Sequence, residues 1–222
     1  MRMDYRRPDC RNMKPVMLYT LPRTRATALF YACRRAIVKD EVFANFNLDL
    51  DDDQEIKKAF YKIDDPNTVL KIHGPHIARS MIIEEWYKKS LDSGTYEVFV
   101  VERLDRLNTF LSLIIAQRFG YNKRDEIVPF EFSANSSDIE IVTNEIENYF
   151  KYYPSRGSVI NLENYPSTYF DSVLINTDNQ ESYKKYHYIK NYDWIVGHLQ
   201  NILADVDAEW QGKIDRLNEQ NN

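Results

Sequence analysis

Residues 16–35 read VMLYTLPRTRATALFYACRR, and this stretch sets the expected fold. Val16-Met17-Leu18-Tyr19 is a short apolar run with the character of a buried strand. Leu21 to Thr27 interrupts it with Pro22, Arg23, Thr24 and Arg25. From Ala28 the chain resumes with good helix formers and apolar residues at helical spacing, which predicts a helix ending near Lys39. A strand, turn and helix in this order aim the free N–H groups of the helix start at one point, where the helix dipole adds partial positive charge. Arg23 and Arg25 add full charges there, and Thr24 and Thr27 add hydroxyl donors. The turn is therefore expected to hold a dianion, most simply a phosphate or sulfate.

The bulk properties narrow what surrounds this site. A chain of 222 residues, 43% of them hydrophobic, suits a single α/β domain over 1–222 with a real core. Its net charge of −5 argues against a general grip on nucleic acid, so any anion site must be local. Cys10 and Cys33 are the two cysteines, without CxxC spacing, so neither a disulfide framework nor a zinc site is expected. No apolar run approaches the ~20 residues needed to cross a membrane. Residues 1–14 are read as a basic N-terminal arm with no apolar stretch behind it, so a cytoplasmic protein without a membrane partner is expected.

Further along, Asp51-Asp52-Asp53 reads as the acidic start of a helix over Gln54 to Lys62 rather than as a metal site. Thr68 to Ile72 (TVLKI) is a second strand, running into His73-Gly74-Pro75-His76. Ile77 to Ser90 reads as a helix, Tyr96 to Val101 as a nearly apolar strand, and Leu107 to Phe119 as a helix stopped by Gly120. Asp138 is expected to cap a helix with Ile139, Val142 and Ile146 on one face. Ser158 to Leu162 is a fourth strand, and Asp171 to Asn176 a short further one. A last helix from Asp193 carries Ile195, Leu199, Ile202, Val206 and Trp210, with 211–222 as a polar tail. Strands separated by helices predict an α/β fold: a three-layer arrangement in which helices flank a parallel sheet. Such sheets bind ligands at the carboxyl edge of the strands. There the sequence places Pro22-Arg23-Thr24, then Lys71 and His73, then Arg103, then Glu163.

These landmarks resemble, in order, those of the sulfotransferases that use PAPS (3′-phosphoadenosine 5′-phosphosulfate). TLPRTRATA (Thr20 to Ala28) is similar to the 5′-phosphosulfate loop, and Lys71-Ile72-His73-Gly74-Pro75 to the segment holding the catalytic base. VVERLDRLNTFLSL, with Arg103 and Ser112, is similar to the 3′-phosphate motif, and VINLENY to the strand followed by an acidic, Tyr-containing turn. The similarity spans roughly Val16 to Tyr165 and implies a P-loop NTPase-like sheet. The chain departs from the pattern at Arg25, where the family loop often has Gly, and at Ala26, where it has Ser or Thr. A C-terminal Arg-Lys-Gly segment is not visible, and Lys184-Lys185 is the nearest substitute. There is no G-x-x-x-x-G-K-[ST], which disfavours a Walker-type site.

The resemblance implies sulfuryl transfer from PAPS to a hydroxyl or amine of a small-molecule or glycan acceptor, with adenosine 3′,5′-bisphosphate as product and no metal. His73 is implied as general base, and Arg23 and Lys71 as catalytic supports of the sulfuryl group and leaving phosphate. Pro22, Arg23, Thr24, Arg25, Ala26 and Thr27 are implied as the phosphosulfate loop, and Arg103 and Ser112 as the grip on the 3′-phosphate. Plainer roles stand beside these. His76 competes with His73, Arg103 has Asp105 or Glu102 within reach for a salt bridge, and Ser112 can pack or bond back to the preceding turn. Glu163 is read as structural. Two other functions are retained: a non-catalytic binding or assembly protein on the same fold, and a small nucleotide or metabolite kinase.

Overall fold

The computed structural model describes residues 14–22, 24, 38–40, 54, 68–119, 131–161 and 189–220. Its strands are β1 (Val16–Thr20), β2 (Val38–Asp40), β3 (Thr68–Ile72), β4 (Glu97–Glu102) and β5 (Ser158–Asn161). Its helices are α1 (Gly74–Ala78), α2 (Met81–Ser93), α3 (Arg106–Phe119), α4 (Ser136–Lys151) and α5 (Tyr192–Gln220). The strands form one five-stranded sheet in the order β2-β3-β1-β4-β5. Every pairing in it is parallel. β1 lies at the centre, with Leu18 opposite Lys71 on β3 and Phe99 on β4. All five β1 residues are buried, as an apolar strand inside a parallel sheet requires.

A single hydrophobic cluster joins the sheet to the helices. It contains Met17 and Tyr19 from β1, Leu70 and Ile72 from β3, and Val98 and Val100 from β4. Ile77, Ile83, Phe110, Ile146, Leu199 and Trp210 complete it from the five helices in turn. Tyr87 and Tyr19 each donate a hydroxyl proton to the end of α4, at the carbonyls of Tyr152 and Tyr149, 2.7 Å in both cases. These two buried rings therefore pack in the core with their hydroxyl groups satisfied on helix carbonyls.

Local chemistry explains the element boundaries. The helix expected over 77–90 is two helices: Ser80 interrupts it in an extended conformation and caps α2, accepting from the Ile82 N–H at 3.3 Å. Gly94 ends α2 at φ 65°, with its N–H on the Leu91 carbonyl. The cap of α4 is Asn135 rather than Asp138. Asn135 Oδ1 accepts from Ser137 N at 3.0 Å and Asp138 Oδ2 accepts from Asn135 N at 2.8 Å, a reciprocal capping box. Asp138 is also gripped by Arg118 through two hydrogen bonds of 2.8 and 2.7 Å.

Two further expectations are corrected. Residues 38–40, placed at the end of the first helix, form edge strand β2 against β3. Residues 211–220, read as a polar tail, continue α5, whose Leu217 is buried in the core. The N-terminal arm over 1–13, the helical stretch over 28–37, the helix after Gln54 and the strand over 171–176 lie outside the described residues.

Candidate functional site

The central position of β1 fixes where the candidate site lies. The chain leaves β1 for β2 on one side, whereas β4 and β5 lie on the other, so the carboxyl end of β1 is flanked by the ends of β3 and β4. Open parallel sheets bind ligands at such a point, where the direction of strand succession reverses. Neighbouring strands are ~4.8 Å apart, so groups leaving β3 and β4 stand about 10 Å from each other across β1.

On the β3 side, His73 occupies the N-cap position of α1 in an extended conformation (φ −119°, ψ 154°). Its ring is buried, and Nδ1 lies 2.7 Å from the carbonyl oxygen of Thr20, the last residue of β1. A carbonyl accepts only, so Nδ1 carries the proton; in the neutral ring this leaves Nε2 as a free base. Burial, reinforced by the nearby Lys71 ammonium, lowers the His73 pKa from 6.5 to about 4, against the opposing pull of the Thr20 carbonyl. The ring is therefore neutral at neutral pH. Lys71 is 6% exposed and lies on β3 two residues earlier.

His76, the local competitor, sits with its ring centroid 4.7 Å from that of His73, edge to face. Its Nδ1 is buried with no hydrogen-bond partner, and desolvation first, then His73, Arg79 and Lys71, hold its pKa well below 6.5. The His73 end of α1 is pressed against α4: a Cβ on Gly74 would stand 2.4 Å from the Asn148 carbonyl oxygen. Glycine is needed there for close backbone approach.

The turn after β1 is partly described. Thr20 and Thr24 hydrogen-bond to each other through their hydroxyls. Thr24 Oγ1 also donates to the Leu21 carbonyl at 3.0 Å. Thr20 Oγ1 lies 3.0 Å from the Leu21 carbonyl and 3.3 Å from that of Val101 on β4. The Thr24 hydroxyl is thus turned in on the loop backbone, where it fixes the turn. Pro22 occupies the turn itself. Arg23, Arg25, Ala26 and Thr27 lie outside the described residues, as do Glu163, Lys184 and Lys185.

On the β4 side, Arg103 follows the strand directly. Its side chain is 12% exposed, and Nη2 lies 3.9 Å from Asp105 Oδ2, a long contact for an ion pair. Glu102, the other salt-bridge partner considered for it, is engaged elsewhere. Its buried carboxylate accepts from the Tyr149 hydroxyl at 2.6 Å and from Trp210 Nε1 at 3.1 Å to each oxygen. Burial raises the Glu102 pKa, opposed by those two donors and by Arg106. Ser112 is half-buried on α3, six residues beyond Arg106 and hence about 9 Å further along the axis.

The structure thus brings Thr20, Thr24, Lys71 and His73 together at one side of the β1 end, with Arg103 leaving the strand on the other side. Sequence reasoning did not find Thr20 as the acceptor that sets the His73 tautomer, nor the Glu102, Tyr149 and Trp210 set. The one available signal for the latter was a carboxylate closing an otherwise apolar strand, VFVVE. No protein-family model, curated protein or solved structure matches the chain.

Proposed function

We propose that this chain is a PAPS-dependent sulfotransferase acting on a hydroxyl or amine of a small-molecule or glycan acceptor. The observation that carries the reading is His73, held through Nδ1 by the end of β1 with Nε2 left as a base. The chemistry is an in-line displacement at sulfur. The acceptor oxygen or nitrogen forms a bond to sulfur as the bond from sulfur to the 5′-phosphate oxygen breaks. The acceptor proton passes to His73 Nε2, and adenosine 3′,5′-bisphosphate leaves. Arg23 and Lys71 stabilise the charge that builds on the sulfuryl and leaving phosphate oxygens. Pro22, Thr24, Arg25, Ala26 and Thr27 belong to the phosphosulfate loop, and Arg103 and Ser112 hold the 3′-phosphate.

A pKa of about 4 suits His73 in the protein without donor. Burial is the larger cause of that lowering; an anionic phosphosulfate offsets the smaller one, the Lys71 charge, and so moves the imidazole upward toward working pH. The all-parallel sheet with β1 at its centre and a Pro-containing turn after it supports the P-loop NTPase-like, three-layer version of the fold. The order β2-β3-β1-β4-β5 is neither the 3-2-1-4-5-6 of the Rossmann fold nor the 2-1-3-4-5 of flavodoxin. Among the described residues no helix is long and apolar enough to cross a membrane, in keeping with the cytoplasmic location we propose.

The inward Thr24 hydroxyl favours a second reading, a non-catalytic binding protein on the same scaffold. Thermal stabilisation by adenosine 3′,5′-bisphosphate, with AMP and ATP-Mg as controls, tests the donor site. A shift specific to the bisphosphate and lost in Arg103→Ala supports it. A shift with ATP-Mg alone moves the chain to the kinases, and no shift with any nucleotide sinks the enzyme reading. Transfer that His73→Ala leaves untouched removes the base, and binding without transfer leaves the binding protein.

A further inference from the structure

Arg103 lies in the short turn that joins β4 to α3, and both ends of that turn rest on one side chain from the far end of the sequence. Before Arg103, the Glu102 carboxylate accepts from Trp210 Nε1 at 3.1 Å to each oxygen, and from the Tyr149 hydroxyl at 2.6 Å. After it, the Arg106 guanidinium lies over the Trp210 ring, 4.1 Å from its centroid, and donates through Nη1 to Asp207 on α5 at 3.1 Å. Trp210 is 1% exposed and packs against Phe110, Tyr149 and Phe150.

Among the described residues, the sheet register ends before this turn. The register of β4 with β1 stops at Val101 opposite Thr20, and the register with β5 stops at Glu102 opposite Asn161. Beyond that point, Asp105 caps α3 by accepting from the Asn108 N–H at 3.2 Å, and it meets the Arg103 guanidinium only at 3.9 Å. A buried carboxylate, an indole N–H and a phenol cost desolvation that an apolar trio of similar volume avoids. What they add is direction: satisfied buried hydrogen bonds admit one arrangement, whereas apolar packing tolerates several.

We propose that Trp210, together with Tyr149, is a positioning residue for Arg103, so that the C-terminal helix α5 sets how tightly the site holds a 3′-phosphate. Trp210 is buried and reaches no ligand; it holds Glu102 and Arg106, the two ends of the turn that carries Arg103. The inference rests on the role given to Arg103 above. It makes bisphosphate selectivity, rather than nucleotide binding in general, the property that α5 controls.

Calorimetric titration of adenosine 3′,5′-bisphosphate and of AMP tests this on wild type, Arg103→Ala, Trp210→Phe and Tyr149→Phe. Wild type is expected to prefer the bisphosphate and Arg103→Ala to lose that preference. Trp210→Phe and Tyr149→Phe are each expected to weaken bisphosphate binding about tenfold, with AMP binding unmoved. Tyr149→Phe keeps the ring that stacks on Tyr19 and removes one hydroxyl, so it serves even if Trp210→Phe folds poorly. Equal loss of both ligands, or a preference that survives in Tyr149→Phe, overturns the positioning role and leaves the donor site standing. A wild type with no preference for the bisphosphate overturns the donor site, and this inference with it.

Discussion

His73 has one nitrogen committed to the fold, and the proposed chemistry uses the other. Because Nδ1–H is spent on the Thr20 carbonyl, the neutral ring stays in the tautomer that leaves the lone pair on Nε2. His73→Ala is expected to lower transfer by about 10²- to 10⁴-fold while leaving bisphosphate binding intact, measured by single-turnover kinetics beside titration. The pH profile carries a sign. Under the proposed mechanism the base works deprotonated, so rate would rise with pH, and a bound anionic donor would raise the imidazole pKa; the inflection in kcat should then lie above that in kcat/KM. The same group affects stability. The unfolded chain protonates this imidazole below about pH 6.5, but the folded protein does so only near pH 4. Stability is thus fully present above the upper value and falls by about 3 kcal/mol as pH drops through the window. Glu145 acts in the opposite direction. Burial raises its pKa from 4.5 to about 7, so its contribution is complete below 4.5 and is lost as pH rises through 7. Urea unfolding across this range should show a shallower acid loss in His73→Gln and a shallower neutral-side loss in Glu145→Gln.

At the scale of elements, the boundaries that matter are set by close approach and by caps. Gly74 lets α1 meet α4 backbone to backbone, which keeps His73 at the end of β1. Gly74→Ala puts a Cβ 2.4 Å from the Asn148 carbonyl, an atom that cannot swing away. A loss of about 1–3 kcal/mol in denaturant unfolding is expected, with a fall in transfer rate because the base moves with α1. At the start of α4, Asn135→Ala removes the capping acceptor and should cost about 1 kcal/mol. Several described elements were legible from local pattern: TVLKI, YEVFVV and the start of the C-terminal helix appear where apolar periodicity places them, although that helix runs on through the stretch read as a polar tail. The failures have local causes. β2 has three residues, too few for any periodicity to show. Ser80 splits a continuous apolar pattern by bonding to the backbone ahead of it, a competition that periodicity does not register. Asp138 looked like a cap because Asn135, three residues earlier, forms the other half of the same box.

Among the described residues, one hydrophobic cluster takes residues from β1, β3, β4 and each of the helices α1 to α5. A single core shared so widely should unfold cooperatively. Far-UV dichroism and Trp fluorescence are expected to report coincident urea transitions, and two separated midpoints would show that the part containing α5 unfolds by itself. The sequence by itself determined the fold class, because apolar strands alternating with amphipathic helices have few packed solutions other than a parallel sheet with its ligand edge at the strand ends. It also placed Pro22, Thr24, Lys71, His73 and Arg103 at or near that edge, since each follows or closes an apolar run. Only the tertiary structure decided what those side chains face. The Thr20–His73 hydrogen bond spans 53 residues, and the Trp210–Glu102 bonds span 108. Such pairings arise from strand order and helix docking, which bring together groups that no local pattern connects. Burial depends on the same assembly: that the His73 ring is neutral, and that Trp210 lies beneath the turn carrying Arg103, follow from how the helices close on the sheet.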